Sequence, residues 1–345
     1  MTNLSIHHLR YIWGRFMFLP SRTRPVPGGQ PPARFEDASY VPYLEKKMNL
    51  WTRRSAVSLA LALTIVVAGS QASAQAAGFD PAPLERTVTE AETRLSARIG
   101  VAVLDTETGK TWTHRGGERF PLNSTFKAFL CAALLQRAED GKVDPEHLVT
   151  IEKADLVTYS PVTEKKIGAG GMSYLELCQA TVSLSDNTAA NLVLDAVGGP
   201  EGLTAYLRGI GDTVTRLDRR ETELNEGRPG DERDTTTPAA AAATLNKLVL
   251  GNALSDPAKQ QLTGWLLGNE VGDATLRAGL PGNWPVADKT GAGGFGSRND
   301  IGVIWPEGRA PVVIAVYITG TKASFDDRNR AIAEIGAALA DSLVD

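Results

Sequence analysis

The sequence predicts an α+β fold in which an antiparallel sheet, flanked by the terminal helices, is completed by both ends of the chain around an inserted all-α domain. Three observations carry this reading. A helix and then strand patterning follow residue 80, residues 124–265 read almost entirely as helix, and the residues after Pro285 read as strands followed by a helix. The two ends match in content, so one shared sheet accounts for both.

Ahead of these elements, Met48 opens a segment with Arg53-Arg54, then an uncharged run from Ala56 to Gly69 and an Ala72-Ser73-Ala74 site. That is the order of a signal peptide over 48–74. The apolar run is about 14 residues, short of the roughly 20 that span a bilayer. The mature chain is expected to begin near Gln75, periplasmic or secreted, with no stable membrane anchor after cleavage. Arg53-Arg54 also permits the twin-arginine route, but the general secretory route is the expectation. Residues 1–47 carry Pro-Val-Pro-Gly-Gly-Gln-Pro-Pro at 25–32 and no helical or strand period. They would set the signal in the wrong place, so they read as an extension upstream of a natural start at Met48.

From 81 to 97 the apolar residues Leu84, Val88, Ala91 and Leu95 recur at helical spacing. Gly100 to Leu104 then reads as a strand, closed by the turn Glu107-Thr108-Gly109. Between 124 and 265 the helical pattern breaks at Gly141, Pro161, Gly168-Ala169-Gly170-Gly171, Gly198-Gly199-Pro200 and a polar stretch from Leu217 to Pro238. Strand-type runs follow at Val286 to Thr290, Ile301 to Trp305 and Pro311 to Ile318, and a helix over about 327–343. The division this implies is an α/β domain over 75–122 plus 266–345 and an all-α domain over 123–265.

Charge and composition remove several function classes. Residues 1–74 hold nine basic and three acidic side chains, which leaves 27 basic and 37 acidic for the rest, a balance of −10. So acidic a body argues against nucleic acid as a partner. Beyond His7 and His8 only His114 and His147 remain, which excludes a multi-histidine metal site and argues against a Ser-His-Asp hydrolase. No metal or cofactor is expected.

Three short clusters carry chemistry. In Asn123-Ser124-Thr125-Phe126-Lys127, Ser124 falls in the first turn of an apolar helix that runs to Gly141. Side chains three apart share a helix face with Cβ atoms about 5–6 Å apart, so the Lys127 amine could reach the Ser124 hydroxyl. The helix start also presents free N–H groups to a developing oxyanion. An N-cap serine followed by an unrelated surface lysine would read the same way. Ser185-Asp186-Asn187 lies in a loop between two helical stretches, and Lys289-Thr290-Gly291-Ala292 leaves a strand where small residues let a ligand approach its edge. Each cluster alone is weak; the three in this order, on helix, loop and strand, are not a chance arrangement.

Ser-x-x-Lys, Ser-Asp-Asn and Lys-Thr-Gly together resemble the penicillin-recognising serine enzymes. The polar stretch over 217–238, with Glu221 and Asn225 spaced as Glu-x-x-x-Asn, is similar to the Ω-loop of the class A serine β-lactamases, and the likeness runs over essentially the whole mature chain. The resemblance implies a five-stranded sheet and a serine hydrolase that opens the β-lactam ring through a Ser124 acyl-enzyme. Lys127, or a water held by Glu221 and Asn225, would take the Ser124 proton, and the Glu221-activated water would deacylate. The N–H groups of Ser124 and Ala292 would form the oxyanion hole, and Ser185 would pass a proton to the leaving nitrogen. Tyr159 would wall the cleft and Asn187 would hold the acylamino group. Lys289, Thr290, Gly291, Ala292 and Arg298 would line the substrate site, Arg298 facing a planar carboxylate. Arg219 and Asp234 would pair to close the loop. Some members of the family carry a disulfide at the positions of Cys131 and Cys178, and in an exported protein the same bridge is expected here, with two free thiols as the alternative.

The chain departs from the common pattern at Asn123, before the nucleophile, and at Arg220-Glu221-Thr222, where Trp-Glu-Pro is more usual. Carbenicillin-hydrolysing relatives typically carry arginine where this chain has Lys289. A D-alanyl-D-alanine peptidase would need Ser124, Lys127, Ser185 and Lys289 but no Glu221. A penicillin sensor would stay acylated, and a serine glutaminase would lack Lys-Thr-Gly. The expected partners are small β-lactam substrates, with the enzyme a monomer.

Overall fold

The computed structural model describes residues 78–344. The extension over 1–47, the signal peptide over 48–74 and the cleavage site near Gln75 lie outside the described residues.

The first helix, Ala82–Leu95, buries Leu84, Val88, Ala91 and Leu95, the stripe expected from the sequence. It ends at Ser96, whose left-handed backbone returns the chain into the strand Arg98–Asp105. Five antiparallel strands lie side by side in the order Thr111–His114, Arg98–Asp105, Val312–Thr319, Ser297–Ile304, Val286–Gly293. Arg98–Asp105 therefore pairs with the strand last in sequence, Asp105 opposite Val312 and Arg98 opposite Thr319.

Both faces of the sheet are covered. Along Val312–Thr319, Val313, Ala315 and Tyr317 face the central helices, and Val312, Ile314, Val316 and Ile318 face the first and last helices. A strand buried on both sides reads as an unbroken apolar run, as this one does. Each fully buried Val or Ile here contributes about 1.5–3 kcal/mol. The strand expected from Ile301 starts earlier, at Ser297, because Arg298, Asn299 and Asp300 are buried in it despite their polarity. The last helix runs Phe325–Ser342, capped by Ser324, whose Oγ accepts from Asp327 N at 3.1 Å.

In the central portion the helix Phe126–Glu139 is buried at every residue from Phe126 to Leu135, so it is apolar all round and has no single stripe. Tyr174–Ser183, Asn187–Val197, Gly199–Gly209, Pro238–Val249 and Asp256–Leu267 are the other long helices of this portion. It is not wholly α-helical. Leu148–Val149 pairs with Met172–Ser173, and Phe120–Pro121 pairs with Thr235–Thr236, joining the residues before the nucleophile to the end of the polar stretch. Gly168, Gly170 and Gly171 hold positive φ values that interrupt helix between the first pair. A disulfide joins Cys131 to Cys178, with Cα atoms 5.6 Å apart, and ties Phe126–Glu139 to Tyr174–Ser183.

Candidate active site

Ser124 sits in a 3-10 turn, Asn123–Thr125, immediately before the helix that begins at Phe126. The sequence pattern places it in the first turn of that helix. Thr125 closes the turn through its own N–H and Oγ1, which both donate to Leu122 O, at 3.2 and 2.7 Å. Asn123 adopts φ 44°, a left-handed conformation uncommon for a residue with a side chain, and is fully buried.

The geometry around Lys127 differs from the sequence expectation. Its ammonium is fully buried and donates to Ser185 O at 2.8 Å, Asn187 Oδ1 at 2.5 Å and Ser185 Oγ at 3.3 Å. Glu221 Oε1 stands 3.1 Å away as an ion-pair partner. The amine thus faces the Ser-Asp-Asn loop and Glu221, and among the described residues no hydrogen bond joins it to Ser124. Burial pushes the Lys127 pKa down, and the Glu221 charge opposes that shift.

Ser185 also holds a left-handed backbone, φ 59°. The loop is fixed by Asp186, whose buried carboxylate accepts from Ala189 N at 2.8 Å, from Val162 N and Thr163 N at 2.9 Å, and from Thr163 Oγ1. Asn187 N donates to Tyr159 O at 3.0 Å and Asn187 Nδ2 to Thr158 O at 2.7 Å, so this loop and the one carrying Tyr159 are locked together. Tyr159 is 54% exposed at the mouth of the cleft.

Glu221 and Asn225 meet: Asn225 Nδ2 donates to Glu221 Oε2. Asn191 brackets Glu221 by accepting from its N–H at 3.0 Å and donating to its C=O at 2.9 Å. Glu221 Oε1 has the Lys127 ammonium as its ion-pair partner and Asn225 Oδ1 has no partner among the described residues, although both atoms are buried. At the neck of the loop Arg219 Nε pairs with Asp234 at 2.5 Å and Nη1 with Glu226 at 2.8 Å. The other Asp234 oxygen accepts from Asp218 N and Arg219 N, at 2.7 and 2.8 Å.

Val286–Gly293 is an edge strand, and its outer side faces the nucleophile. Glycine is required at 293, where a Cβ would stand 2.2 Å from Asn123 Oδ1 and 2.6 Å from the Asn225 carbonyl oxygen, and a Cβ on Gly291 would be tight, 3.1 Å from Ser124 N. Lys289, fully buried, donates to Ser185 Oγ at 3.2 Å and Thr290 O at 3.0 Å. Desolvation, with the charges of Lys127 and Arg298 adding to it, lowers its pKa to about 7. On the neighbouring strand Arg298 donates through Nε to Asn329 Oδ1 at 2.7 Å and through Nη1 to Gly291 O at 3.2 Å. Among the described residues no hydrogen bond is made by its Nη2.

Ser124, Tyr159, Ser185, Asn187, Asn225, Thr290, Gly291, Ala292 and Arg298 line one cleft of about 440 Å3, with Lys127, Glu221 and Lys289 buried behind its wall. Val271, Ala274, Phe325 and Asn329 line it too and were not singled out from the sequence. Asn329 lies in a charged helical stretch, and nothing local marks it as the anchor of an arginine 31 residues away. A larger groove of about 660 Å3 beside Arg137, Tyr206 and Lys247 holds none of the motif residues.

Residues 83–343 match a family model described as the Beta-lactamase enzyme family. The chain is 52% identical over 265 residues to β-lactamase AER-1 of Aeromonas hydrophila, a match covering 77% of this chain and 87% of that protein. It is likewise 52% identical to β-lactamase PSE-4 of Pseudomonas aeruginosa, over 75% of this chain and 89% of the relative. Among solved structures, an ancestral (GNCA) class A β-lactamase aligns with a TM-score of 0.73 at 58% identity, over 75% of this chain and 99% of the other. Fold, motif order and these similarities agree that the chain belongs to the class A β-lactamases.

Proposed function

We propose that the cleft opens the β-lactam ring in two steps, with Ser124 as the nucleophile and Glu221 as the base that releases the acyl group. The observation that carries this is a pair of buried acceptors with no hydrogen bond of their own, Glu221 Oε1, which faces only the Lys127 ammonium, and Asn225 Oδ1, on two side chains that Asn225 Nδ2 joins. A water bridging them donates both of its hydrogens, which leaves its lone pairs free to attack an ester on Ser124. A peptidase that transfers its acyl group to an amine has no need of such a pair.

In acylation Ser124 Oγ bonds to the lactam carbonyl carbon, and the backbone N–H groups of Ser124 and Ala292 receive the oxyanion. The Ser124 proton passes through the bridging water to Glu221, because Lys127 in the resting site is already turned to Ser185, Asn187 and Glu221. As the C–N bond breaks, the ring nitrogen takes a proton from Ser185, which recovers one from Lys127, and Lys127 in turn takes the proton that Glu221 holds, so the carboxylate is free again for the second step. The Ser185 hydroxyl accepts from both Lys127 and Lys289, so its own hydrogen is free to point into the cleft. In deacylation the water adds its oxygen to the ester carbon, Glu221 takes its proton and gives it to Ser124 as the ester C–O bond breaks, and Ser124 leaves as the alcohol. Lys289, Thr290 and Arg298 hold the substrate carboxylate, beside Gly291 and Ala292. Asn187 meets the acylamino group through the amide hydrogen that Thr158 does not occupy, and Tyr159 walls the cleft.

This reading includes the Arg219–Asp234 pair and the Cys131–Cys178 bridge as supports of the site. It takes 75–122 plus 266–345 and 123–265 as its two domains and the enzyme as an exported monomer; among the described residues no helix is long and apolar enough to cross a membrane. The test is turnover of a chromogenic cephalosporin counted per enzyme. Many cycles are expected from the wild type and none from Ser124→Ala, with the melting temperature of the variant little changed. Residual turnover well above the uncatalysed rate in that variant would remove Ser124 from the mechanism.

A further inference from the structure

The end of the cleft that holds Arg298 is built by the first turn of the last helix. Asn329 and Phe325 are four apart on Phe325–Ser342 and so lie on one helix face. Asn329 fixes the Arg298 guanidinium in its plane through Nε, and the Phe325 ring lies beside it, with Arg298 Cζ 4.8 Å from the ring centroid. A second guanidinium, Arg328, has its Cζ 5.4 Å from the same centroid and is tied to Ser297 O at 3.2 Å. Phe325 is nevertheless 47% exposed and lines the cleft, in a molecule that buries most of its large apolar side chains.

A phenyl ring serving only to support Arg298 would gain by being covered. This one keeps half of its surface open toward the position that the substrate carboxylate takes, with cations drawing on its π electrons. The atom that bears the carboxylate in a β-lactam is bonded to the carbon that carries the next substituent of the fused ring, so that substituent leaves the cleft past Phe325. Resting on the reading of the site given above, we propose that Phe325 is a specificity residue that selects β-lactams carrying a flat, π-rich, electron-poor arm next to the carboxylate. Aromatic rings prefer offset or edge-to-face packing against a second ring, and an electron-poor arm suits the exposed phenyl while the oxygens of its electron-withdrawing substituents suit the two guanidinium groups.

The test uses two cephalosporins with the same acyl side chain, one with a nitro-substituted styryl arm at C3 and one with methyl there; neither arm is a leaving group. Each is assayed with wild-type enzyme, Phe325→Leu and Phe325→Tyr. Leu keeps apolar bulk at an exposed helix start and removes the π face; Tyr keeps the face. Aromatic pairing of ordinary strength predicts that Phe325→Leu lowers kcat/KM for the styryl substrate about three- to tenfold more than for the methyl one, mostly through KM. Phe325→Tyr restores the wild-type ratio. Equal losses on both substrates would mean that the ring acts only by propping Arg298, and no change on either would mean that the arm never meets it; each result overturns the proposal. Failure of the wild type to turn over either substrate would instead overturn the hydrolase reading on which it rests.

Discussion

Removing the Glu221 carboxylate tests the release step and the electrostatics of the site together. In Glu221→Ala the water loses its base, and general-base assistance of this kind accounts for roughly 10²–10⁴ in rate. Lys127 loses its ion-pair partner while staying fully buried. Breaking a buried pair by deleting one member costs about 3–5 kcal/mol. Here Ser185 O and Asn187 Oδ1 still accept from the amine, and burial has already lowered its pKa, so it can shed its proton instead of standing unpaired. The lower end, about 3 kcal/mol, is therefore expected, or roughly 6–12 °C in melting temperature. The sign of the pH dependence follows. The unfolded chain holds a proton on Lys127 that the folded variant gives up, so the stability of the variant rises with pH through the window between the depressed folded pKa and the ordinary lysine value. The assay is intact-protein mass after mixing with benzylpenicillin: the variant should gain one penicillin and hold it for minutes or longer. An unmodified variant, or one that releases product at the wild-type rate, would refute the assignment of Glu221 to deacylation.

Three further outcomes are expected. Arg298→Ala removes charge-assisted contacts worth about 1.5–3 kcal/mol, so KM for a carboxylate substrate should rise roughly 10- to 150-fold with a smaller change in kcat. The methyl ester of the same substrate should be almost indifferent, and equal losses on both would make Arg298 structural. Lys289 titrates at about 7, so its ammonium is present below that pH and lost above it. In initial-rate profiles kcat/KM for carboxylate substrates should fall as pH rises through that value, and Lys289→Arg should abolish this limb because a guanidinium does not discharge; a limb unchanged in that variant would assign it to another group. The double variant C131A/C178A opens a loop with a sequence separation of 47 residues. The chain-entropy model puts the loss at roughly 4 kcal/mol, seen as a lower denaturation midpoint with activity retained at 25 °C; a midpoint equal to that of the wild type would show that the bridge does not constrain the unfolded chain.

Local patterning carried the architecture. The stripe Leu84, Val88, Ala91 and Leu95, the three C-terminal strand runs and the last helix were legible because helical and extended segments are selected by the spacing of their apolar residues. The motifs were legible for the same reason: each is a contiguous string whose residue types the chemistry demands. Ser297–Asp300 was missed as strand because buried polar residues break the apolar signal where the site needs them.

What faces what was decided only in three dimensions. Ser-x-x-Lys spacing put the Lys127 amine within reach of Ser124, but the 3-10 turn at Asn123–Thr125 and the loop 58 residues further on turned it to Ser185, Asn187 and Glu221. Arg298 is held by Asn329 and Phe325 from another element, and Glu221 is bracketed by Asn191, 30 residues before it. Which groups are present, and on which elements they ride, is written in the local order of residues. Their pairing rests on contacts between residues distant along the chain, set by how sheet and helices pack, and neither residue of such a pair carries a local mark of its partner.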